Sequence, residues 1–469
     1  MKFDEYRRHD ATGLAALVAG GQVSAGELLA TAQARLAEVN PRINAVTHDL
    51  SALGAAEAAA GRQGPFAGVP FLLKDLGAPL AGAVTTQSSR VFADWRPPED
   101  GAITKAYRAA GLVIFGKTNT PEFGLTAVTE PAMYGPCRSP WDLGRTPGGS
   151  SGGAASAVAA GIVPAAHASD GGGSIRTPAS CCGLFGLKPS RGRVSFAPTG
   201  EGWGGASIQH AVTRSVRDSA ALLDLVCRPQ PGDPYFLAPP ERPFAEAAAR
   251  DPGKLRIAFT TAALMGGTLD PECAEAVRDA ARLCESLGHA VEEASVPGDI
   301  LAMSQGAGDV IAASVAATLD AEAERRGREI GDDELEPLTW GMYRRGRKVS
   351  GSQYVRGLAA IHAYGRAVAS LYDRFDVLLL STLGRPPIPI GWLTEEPKLY
   401  TERLFAFMPN TQAFNNTGQP AMTVPLAWSQ GGLPIGIQFV GRMGEEATLL
   451  SLAGQLEKAR PWFDRVAPP

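Results

Sequence analysis

Two serine clusters flanked by glycines lie close together in the chain: Gly-Gly-Ser-Ser-Gly-Gly at residues 148–153 and Asp-Gly-Gly-Gly-Ser-Ile-Arg at residues 170–176. Ser150 and Ser174 are 24 positions apart (174 minus 150). Because glycine has no side chain, its backbone N–H groups can approach a ligand closely and stabilise charge on a reacting oxygen. Ser174 also precedes a predicted helix start, where unpaired N–H groups favour an anion. The stretch therefore predicts a serine hydrolase with backbone oxyanion donors.

The composition excludes several other classes of protein. The 469 residues are 45% hydrophobic and 20% charged, which predicts a globular chain with a large core. The formal charge is only −4 and the basic residues are dispersed, so no nucleic-acid or anionic membrane surface is indicated. The N-terminus has no apolar leader and no run of about 18 apolar residues occurs, so we expect a cytoplasmic protein without a membrane span. The six cysteines lack C-x-x-C spacing, which argues against zinc and predicts buried thiols.

The apolar runs predict strands that alternate with helices, and hence an α/β fold with a mainly parallel or mixed sheet. A first helix is expected to begin at Ser24, with Glu27 completing a capping box, and to end at Pro41. The other predicted strands are 69–73, 111–117, 162–166, 255–259 and 376–380, with two closing strands up to Val440 around Gly431-Gly432. The other predicted helices are 103–110, 154–160 and 271–287, and residues 300–372 are expected to be mainly helical.

A serine nucleophile needs a base, and the sequence offers two candidates. His167 is the only histidine near the glycine clusters, but strand geometry would place it roughly 20 Å from Ser174, which favours a structural role. Lys74 ends a wholly apolar strand, where burial would lower its pKa and leave it neutral enough to accept a proton. An exposed lysine at a strand end is the alternative interpretation of Lys74.

Taken together, these motifs resemble the amidase signature family. Further matching segments are Val-Pro-Phe-Leu-Leu-Lys-Asp at 69–75, Gly-Lys-Thr-Asn-Thr-Pro-Glu-Phe at 116–123 and Gly-Leu-Phe-Gly-Leu-Lys-Pro at 183–189. The similarity covers nearly the whole chain and is greatest to the branch that hydrolyses the cyclic dimer of 6-aminohexanoate and related small amides. Urethane-cleaving members are also similar in size and layout.

The resemblance implies a single domain, residues 1–469, whose large mixed and twisted β-sheet is covered by helices on both faces. Its expected parts are an N-terminal helical segment at 1–60 and a catalytic core at 61–228. A variable, mostly helical region on the substrate side follows at 229–400, and strands and a helix at 401–469 complete the core.

The resemblance also implies the role of each site residue. Ser174 would be the nucleophile, Ser150, entered through a cis peptide bond, would be the bridging serine, and Lys74 would be the base. The oxyanion hole would consist of the backbone N–H groups of Gly171, Gly172, Gly173 and Ser174. Supporting roles are implied for Ser151, Asp170 and Arg176. Many members have a β-branched residue where this chain has Gly171, and we expect this departure to loosen the loop without removing a donor.

The pocket and the partners are less well defined. Five residues are candidates for the wall of an acyl pocket, with core packing as the alternative for each: Phe123, Leu125, Met133, Tyr134 and Trp203. No metal or cofactor is expected. The expected substrate is a small linear or cyclic amide, an aryl amide or a carbamate, and a homodimer is left open as the assembly. Amide and carbamate are not distinguished, since both present a carbonyl attached to nitrogen.

Two other functions are compatible with parts of the sequence. Residues 111–118 match the phosphate-loop pattern G-x-x-x-x-G-K-[ST], but the four residues between the glycines are themselves strand-like, which disfavours nucleotide binding. The glutaminase subunit of a tRNA-dependent amidotransferase shares the amidase signature. The similarity of the C-terminal segment to the small-amide branch argues against that second alternative.

Overall fold

The computed structural model describes residues 1–467, and their strands form one mixed sheet. The strands are β1 Val46–Asp49, β2 Pro70–Lys74, β3 Val113–Thr118, β4 Ala165–Asp170, β5 Phe185–Lys188, β6 Ile208–Thr213, β7 Arg256–Phe259, β8 Ala290–Glu293, β9 Val377–Ser381, β10 Ala421–Trp428 and β11 Pro434–Gly441. Their spatial order is β1-β3-β2-β4-β6-β5-β10-β11-β9-β7-β8. Parallel pairs join β3 to β2, β2 to β4, β9 to β7 and β7 to β8, and the remaining pairs are antiparallel.

The α-helices pack around this sheet and connect its strands. They are α1 Phe3–Tyr6, α2 Ala11–Ala19, α3 Ala25–Ile43, α4 Ser51–Ala59, α5 Ala102–Ala109, α6 Gly152–Ala159, α7 Arg176–Cys182, α8 Val216–Val226, α9 Phe244–Ala249, α10 Pro271–Ser286, α11 Ile300–Arg326, α12 Pro337–Gly346, α13 Gly351–Ala369, α14 Tyr400–Phe407, α15 Gln412–Asn416 and α16 Glu446–Ala459. The six cysteines are free and buried, as the sequence predicts.

The alternating side chains of β9 show that apolar cores lie on both faces of the sheet. Val377 and Leu379 belong to the larger core, whereas Leu378 and Leu380 belong to a second core with residues of α11 and α13. Successive side chains of a strand point to opposite faces, so β9 separates the two cores. The predicted α/β fold, with a large mixed sheet covered by helices, is confirmed.

The first long helix begins as predicted but ends later. Ser24 Oγ accepts a hydrogen bond from the Glu27 N–H at 3.2 Å, and the Glu27 carboxylate accepts one from the Ser24 N–H at 2.9 Å. The predicted end at Pro41 is wrong, because α3 includes this proline and continues to Ile43. The helix ends where Asn44 adopts a left-handed backbone with φ of 50°, a conformation that asparagine tolerates.

The strand predicted at 162–166 is shifted towards the C-terminus, to β4. Strand β4 pairs along its whole length with β6, from Ala165 opposite Thr213 to Asp170 opposite Ile208. This ladder satisfies the backbone polar groups of the segment and so sets its position. Ser169 and Asp170 therefore lie within a strand, not in the loop after it.

The motif at 111–118 does not form a phosphate loop. Its central residues are the buried strand β3, which pairs with β1 and β2, so their N–H groups do not wrap a ligand. The side chain of Lys117 is buried, where its Nζ donates to the Val84 carbonyl at 2.7 Å and lies 3.6 Å from Asp75 Oδ1. The nucleotide-binding alternative is therefore wrong.

Helix α11 is the longest helix in the described part of the chain. Its 27 residues include an 18-residue window with a mean hydropathy of 1.4, so by length and composition α11 could cross a membrane. In this fold α11 packs along α12 and α13, and Met303, Ala307 and Val310 lie in the second core. These three apolar residues are therefore used in packing within the fold.

Candidate active site

Strand β2 ends at Lys74, whose side chain is fully buried. Its Nζ lies 2.7 Å from Ser150 Oγ and 3.0 Å from Ser169 Oγ. Removal from water disfavours the ammonium form and lowers the pKa of Lys74 to about 7, although the Asp170 carboxylate partly opposes this shift. A substantial fraction of the lysine is consequently neutral near pH 7 and able to accept a proton.

His167 packs behind the lysine and does not act on the serines. Its Nδ1 accepts a hydrogen bond from the Lys74 backbone N–H at 3.3 Å, and its Nε2 lies 3.1 Å from Gln209 Oε1. Burial and the nearby lysine lower the pKa of His167 to about 3, so the imidazole stays neutral. The predicted structural role fits this position, but the sequence did not indicate that His167 would support Lys74.

The loop that carries Ser150 is fixed by hydrogen bonds to two threonines that precede it in the chain. The Gly149–Ser150 peptide bond is cis, as the resemblance implies. Thr120 Oγ1 donates to the Ser150 carbonyl at 2.8 Å, and Thr129 Oγ1 donates to the Gly148 carbonyl at 2.9 Å. A Gly-Ser cluster held in this way is not a flexible linker.

Ser151 also links the two serine clusters. Its Oγ donates to the Ser169 carbonyl at 3.2 Å and accepts from the Ser169 N–H at 3.3 Å. Ser169 thus holds Ser151 through its backbone and Lys74 through its hydroxyl. The sequence did not single out Ser169, because its role depends on the pairing of β2 with β4.

The loop that carries Ser174 is built around a buried ion pair between Asp170 and Arg176. Nε and Nη2 of Arg176 each donate to the carboxylate of Asp170 at 3.0 Å. Burial alone would raise the pKa of Asp170, but the Arg176 guanidinium outweighs it and holds the pKa at about 2. Asp170 therefore remains ionised and keeps the loop in one conformation.

One expected oxyanion donor is already bonded within the protein. The Gly173 N–H donates to Asp170 Oδ1 at 2.7 Å, so it is not free to bind a reacting oxygen. The assignment of Gly173 as a donor is therefore corrected, since its N–H fixes the loop. At Gly171 the Trp203 indole packs into the space that a side chain would need.

Residues from the C-terminal part of the chain hold Arg176 from the other side. Its Nη1 donates to Gln438 Oε1 at 2.6 Å and to the Thr411 carbonyl at 2.9 Å. Asn415 Nδ2 donates to Asp170 Oδ1 at 2.8 Å. These partners are more than 200 positions from Arg176 in the chain, so no local pattern indicated them.

Two adjoining cavities open beside Ser174, and we call them the first and the second chamber. The first has a volume of about 300 Å³ and contacts both Ser150 and Ser174, with further lining from Thr85, Gln87, Trp95, Phe123, Trp203 and Val315. The second has a volume of about 180 Å³ and is mainly apolar, lined by Leu125, Ile311, Leu338, Met342, Leu404 and Met408. Ser174, Gly171 and Trp203 border both chambers. Because the chambers adjoin, they form one partly apolar cavity, and the first chamber alone reaches the size typical of small-molecule sites.

The five predicted wall residues divide into two groups. Phe123, Leu125 and Trp203 line the chambers. Met133 and Tyr134 line neither chamber in the described part of the chain. The Tyr134 hydroxyl instead lies 3.1 Å from Thr86 Oγ1 and 3.2 Å from His48 Nε2, where buried polar groups satisfy it.

A buried carboxylate that the sequence did not single out connects the chamber wall to the core. Glu122 Oε1 accepts from Ser89 Oγ at 2.7 Å, and Glu122 Oε2 accepts from the Glu336 N–H at 2.8 Å. Glu336 is the residue before α12, which carries Leu338 and Met342 of the second chamber. Burial raises the pKa of Glu122 above the usual glutamate value. This residue therefore anchors the start of α12 beside Phe123.

Comparisons with known proteins agree with this geometry. A protein-family model described as Amidase matches residues 27–450. The 6-aminohexanoate-cyclic-dimer hydrolase of Paenarthrobacter ureafaciens is 39% identical over 473 residues, which cover 97% of this chain and 96% of that protein.

Solved structures give the same result. A 6-aminohexanoate cyclic dimer hydrolase in complex with substrate superposes with a TM-score of 0.92 at 37% identity, and the match covers 98% of both chains. A bacterial aryl acylamidase of the amidase signature family superposes with a TM-score of 0.89 at 27% identity, covering 97% of this chain and 96% of the other.

Proposed function

The chain belongs to the amidase signature family, whose members hydrolyse amide carbon–nitrogen bonds, and we propose that it does so with Ser174, Ser150 and Lys74 as a Ser–Ser–Lys triad. The observation that carries this proposal is the 2.7 Å contact between Lys74 Nζ and Ser150 Oγ, at the edge of a cavity that Ser174 also lines. A lysine with a pKa of about 7 supplies the base that the histidine cannot supply.

The proposed reaction starts with two proton transfers. Neutral Lys74 takes a proton from Ser150 while Ser150 takes the proton of Ser174, whose Oγ attacks the substrate carbonyl carbon. The backbone N–H groups of Gly171, Gly172 and Ser174 then stabilise the oxyanion, because the N–H of Gly173 is bonded to Asp170.

The second half of the reaction releases the two products. Ser150 passes its proton to the leaving nitrogen while the Lys74 ammonium returns a proton to Ser150, the carbon–nitrogen bond breaks, and the amine departs from an acyl-enzyme on Ser174. A water molecule then repeats the attack with the same proton path, which releases the carboxylic acid and restores Ser174. An amine is a poor leaving group unless it is protonated, so the bridging serine matters most at this step.

The chambers support an assignment of the two halves of the substrate. Ser150, the proposed proton donor to the leaving nitrogen, contacts the first chamber, so we assign the amine portion to that chamber. The acyl portion then falls in the apolar second chamber. This arrangement suits small linear or cyclic amides and aryl amides, and it also suits carbamates, which would make the protein a urethanase as well.

A glutaminase subunit of a tRNA-dependent amidotransferase is not favoured. The relatives described above are named as a cyclic-dimer hydrolase and an aryl acylamidase, and they match this chain over almost its full length. The mainly apolar second chamber also suits a glutamine side chain poorly. We further propose a cytoplasmic location, in keeping with six free, buried cysteines.

The proposal is tested with two substrates that release the same amine. We would compare hexanoyl 4-nitroanilide with ethyl N-(4-nitrophenyl)carbamate, and follow 4-nitroaniline with the purified parent enzyme and with Ser174→Ala. We expect the parent to cleave the anilide and Ser174→Ala to be slower by about 10⁴-fold or more. The rate on the carbamate relative to the anilide measures the urethanase activity.

Two results would contradict the proposal. Cleavage that is equally fast in Ser174→Ala would exclude this serine as the nucleophile. No cleavage of either compound, together with glutamine hydrolysis only in the presence of added amidotransferase subunits, would support the glutaminase alternative.

A further inference from the structure

Gly171 and Trp203 are in unusually close contact. A Cβ atom placed on Gly171 would lie 2.5 Å from Cζ3 and 2.7 Å from Cε3 of the Trp203 indole, closer than real Cβ atoms pack. The indole therefore occupies the space that any larger side chain at position 171 would need. The indole can occupy this position only because residue 171 has no side chain.

The backbone of Trp203 is held in a conformation that fixes the direction of its side chain. Trp203 has a φ of 59°, and Gly204 and Gly205 follow with φ of 65° and 79°, so three successive residues are left-handed. This region is unfavourable for a bulky residue such as tryptophan, and it persists only where the surroundings impose it.

The surroundings that impose this conformation belong to three separate segments. Arg191 Nε donates to the Gly205 carbonyl at 2.7 Å. A Cβ atom on Gly204 would lie 3.0 Å from Val310 Cγ1 of α11 and 3.1 Å from Leu358 Cδ2 of α13, so this glycine is pressed against both helices. These contacts hold the backbone beside Trp203 and so fix the direction in which its side chain leaves the backbone.

Trp203 also stands at the boundary of the two chambers. It borders the first chamber and the second, together with Ser174 and Gly171. We propose that Trp203 is a specificity-determining residue that divides the substrate cavity, with Gly171 providing the space for its indole, and that it thereby limits the length of the acyl group. The proposal rests on the proposed function for the identity of the substrate.

The volume of the second chamber defines the class of acyl group. An apolar cavity of about 150 Å³ holds one benzene molecule, and the second chamber measures about 180 Å³. The enzyme should therefore prefer amides of acids with about six carbon atoms or one phenyl ring. A longer chain would have to pass the indole to enter the first chamber.

The first test uses a series of 4-nitroanilides with acetyl, hexanoyl, benzoyl and dodecanoyl groups. We expect the parent enzyme to cleave the hexanoyl and benzoyl compounds at least tenfold better, in kcat/KM, than the dodecanoyl compound. Trp203→Ala should reduce this preference at least tenfold, because the two chambers become one.

The matched control is Trp95→Ala, which removes the same side chain from the first chamber alone. This control should change kcat/KM by the same factor for all four acyl groups. An unchanged acyl preference in Trp203→Ala, or an equal change of preference in Trp95→Ala, would overturn the proposal.

The second test addresses the contact itself and includes a double variant. Gly171→Ala should lower the melting temperature, and lower kcat/KM for the hexanoyl compound at least tenfold, because the new methyl group and the indole cannot both fit. In the Trp203→Ala background the same substitution should cost less than twofold in kcat/KM and less in melting temperature. Additive losses would refute the role of Gly171.

The two tests separate failure of this inference from failure of the proposed function. A parent enzyme without any Ser174-dependent cleavage of the four anilides would refute the proposed function. Cleavage with an unaltered acyl preference in Trp203→Ala would refute only the division of the cavity. The melting temperatures of the four proteins in the double-variant cycle need no substrate, so they test the contact in either case.

Discussion

We call the residues proposed to carry out the chemistry the floor of the candidate active site, and the residues that line its two chambers the walls. Floor and walls come largely from different parts of the chain. The floor comprises Lys74 at the end of β2, the loop at 148–153 and the loop at 170–176, all within about one hundred residues of the chain. The walls come partly from residues 85–125, but also from the loop around Trp203 and from α11, α12 and α14, which are spread over a further two hundred residues. The difference teaches that the chemistry is encoded in short local patterns, whereas substrate selection depends on packing between distant segments.

Two buried basic side chains in the floor, Arg176 and Lys74, have different partners. Arg176 forms a buried ion pair with the Asp170 carboxylate and so serves as a fixed support. Lys74 faces the hydroxyls of Ser150 and Ser169, which offer less compensation for lost hydration, and its pKa falls to about 7. Two equally buried basic residues therefore differ in role: Arg176 supports the structure, and Lys74 is the base that we propose for proton transfer.

Removal of the base should have the largest effect and should affect every amide alike. Lys74→Ala is expected to lower kcat on amides by about 10³-fold to 10⁴-fold, as loss of a general base does. In the parent enzyme kcat/KM should rise with pH through about 7, because only neutral Lys74 accepts a proton. Rates measured across this pH range for both proteins provide the check.

The control for this prediction is His167→Ala, which removes a buried, uncharged neighbour of the lysine. We expect this variant to retain the same dependence on pH with a smaller loss of rate. A loss as large as that in Lys74→Ala, with no titration near pH 7, would show that the base has been assigned to the wrong residue.

The bridging serine should distinguish amides from esters. Ser150→Ala is expected to lower kcat/KM for hexanoyl 4-nitroanilide by about 10²-fold to 10³-fold, because the leaving amine is no longer protonated. The corresponding 4-nitrophenyl ester should lose at least tenfold less, since nitrophenolate leaves without a proton. Burst kinetics with the ester would show whether Ser174 is still acylated. Equal losses on the two substrates would contradict the proton-bridge role.

The sequence was sufficient to predict the fold class and the positions of the candidate triad residues. The glycine-rich patterns predicted that Ser150 and Ser174 would lie in turns, and the resemblance implied that Lys74 is the base. The residues alone left open whether Lys74 is buried or exposed, and the structure buries it. The structure places Ser150 beside Lys74 and places both serines on the first chamber. Long periodic helices such as α10, with Asp270 as its N-cap, were also predicted closely.

What the sequence could not provide depends on contacts between distant residues. Ser169 reaches Lys74 only because β4 pairs with β2, and Gln438 reaches Arg176 across the sheet. The N–H of Gly173 was assigned to the substrate because a local pattern does not show that Asp170 would take it. Tyr134 was placed in the pocket wall for a similar reason, since nothing near it in sequence indicates its contact with His48.

The ion pair between Asp170 and Arg176, within the floor, should contribute more to the stability of the fold than to the reaction. Arg176→Lys retains the charge but loses the paired geometry with Asp170 and the contact with Gln438. We expect the free energy of unfolding to fall by about 3 kcal/mol, as expected when charged hydrogen bonds in a buried network are broken. Urea unfolding followed by fluorescence would measure it. A matched substitution at an exposed ion pair, Arg282→Lys beside Glu275, should leave the free energy of unfolding almost unchanged.

The smallest effect is expected where the wall meets the floor. Glu122→Gln can keep the contact with the Glu336 N–H through its amide oxygen while its N–H₂ faces the Ser89 hydroxyl, but it loses the negative charge and so weakens the anchor of α12. A hydrogen bond to a charged group is stronger than a neutral one by about 1 kcal/mol, so kcat/KM for hexanoyl 4-nitroanilide should fall by about fivefold to tenfold. The acetyl compound, which does not reach Leu338 and Met342, should lose less than about twofold, because the floor is unchanged. Glu402→Gln, at an exposed position of α14, should leave both substrates unaffected. Equal losses on the acetyl and hexanoyl compounds in Glu122→Gln would show that floor and wall are not separable at this residue.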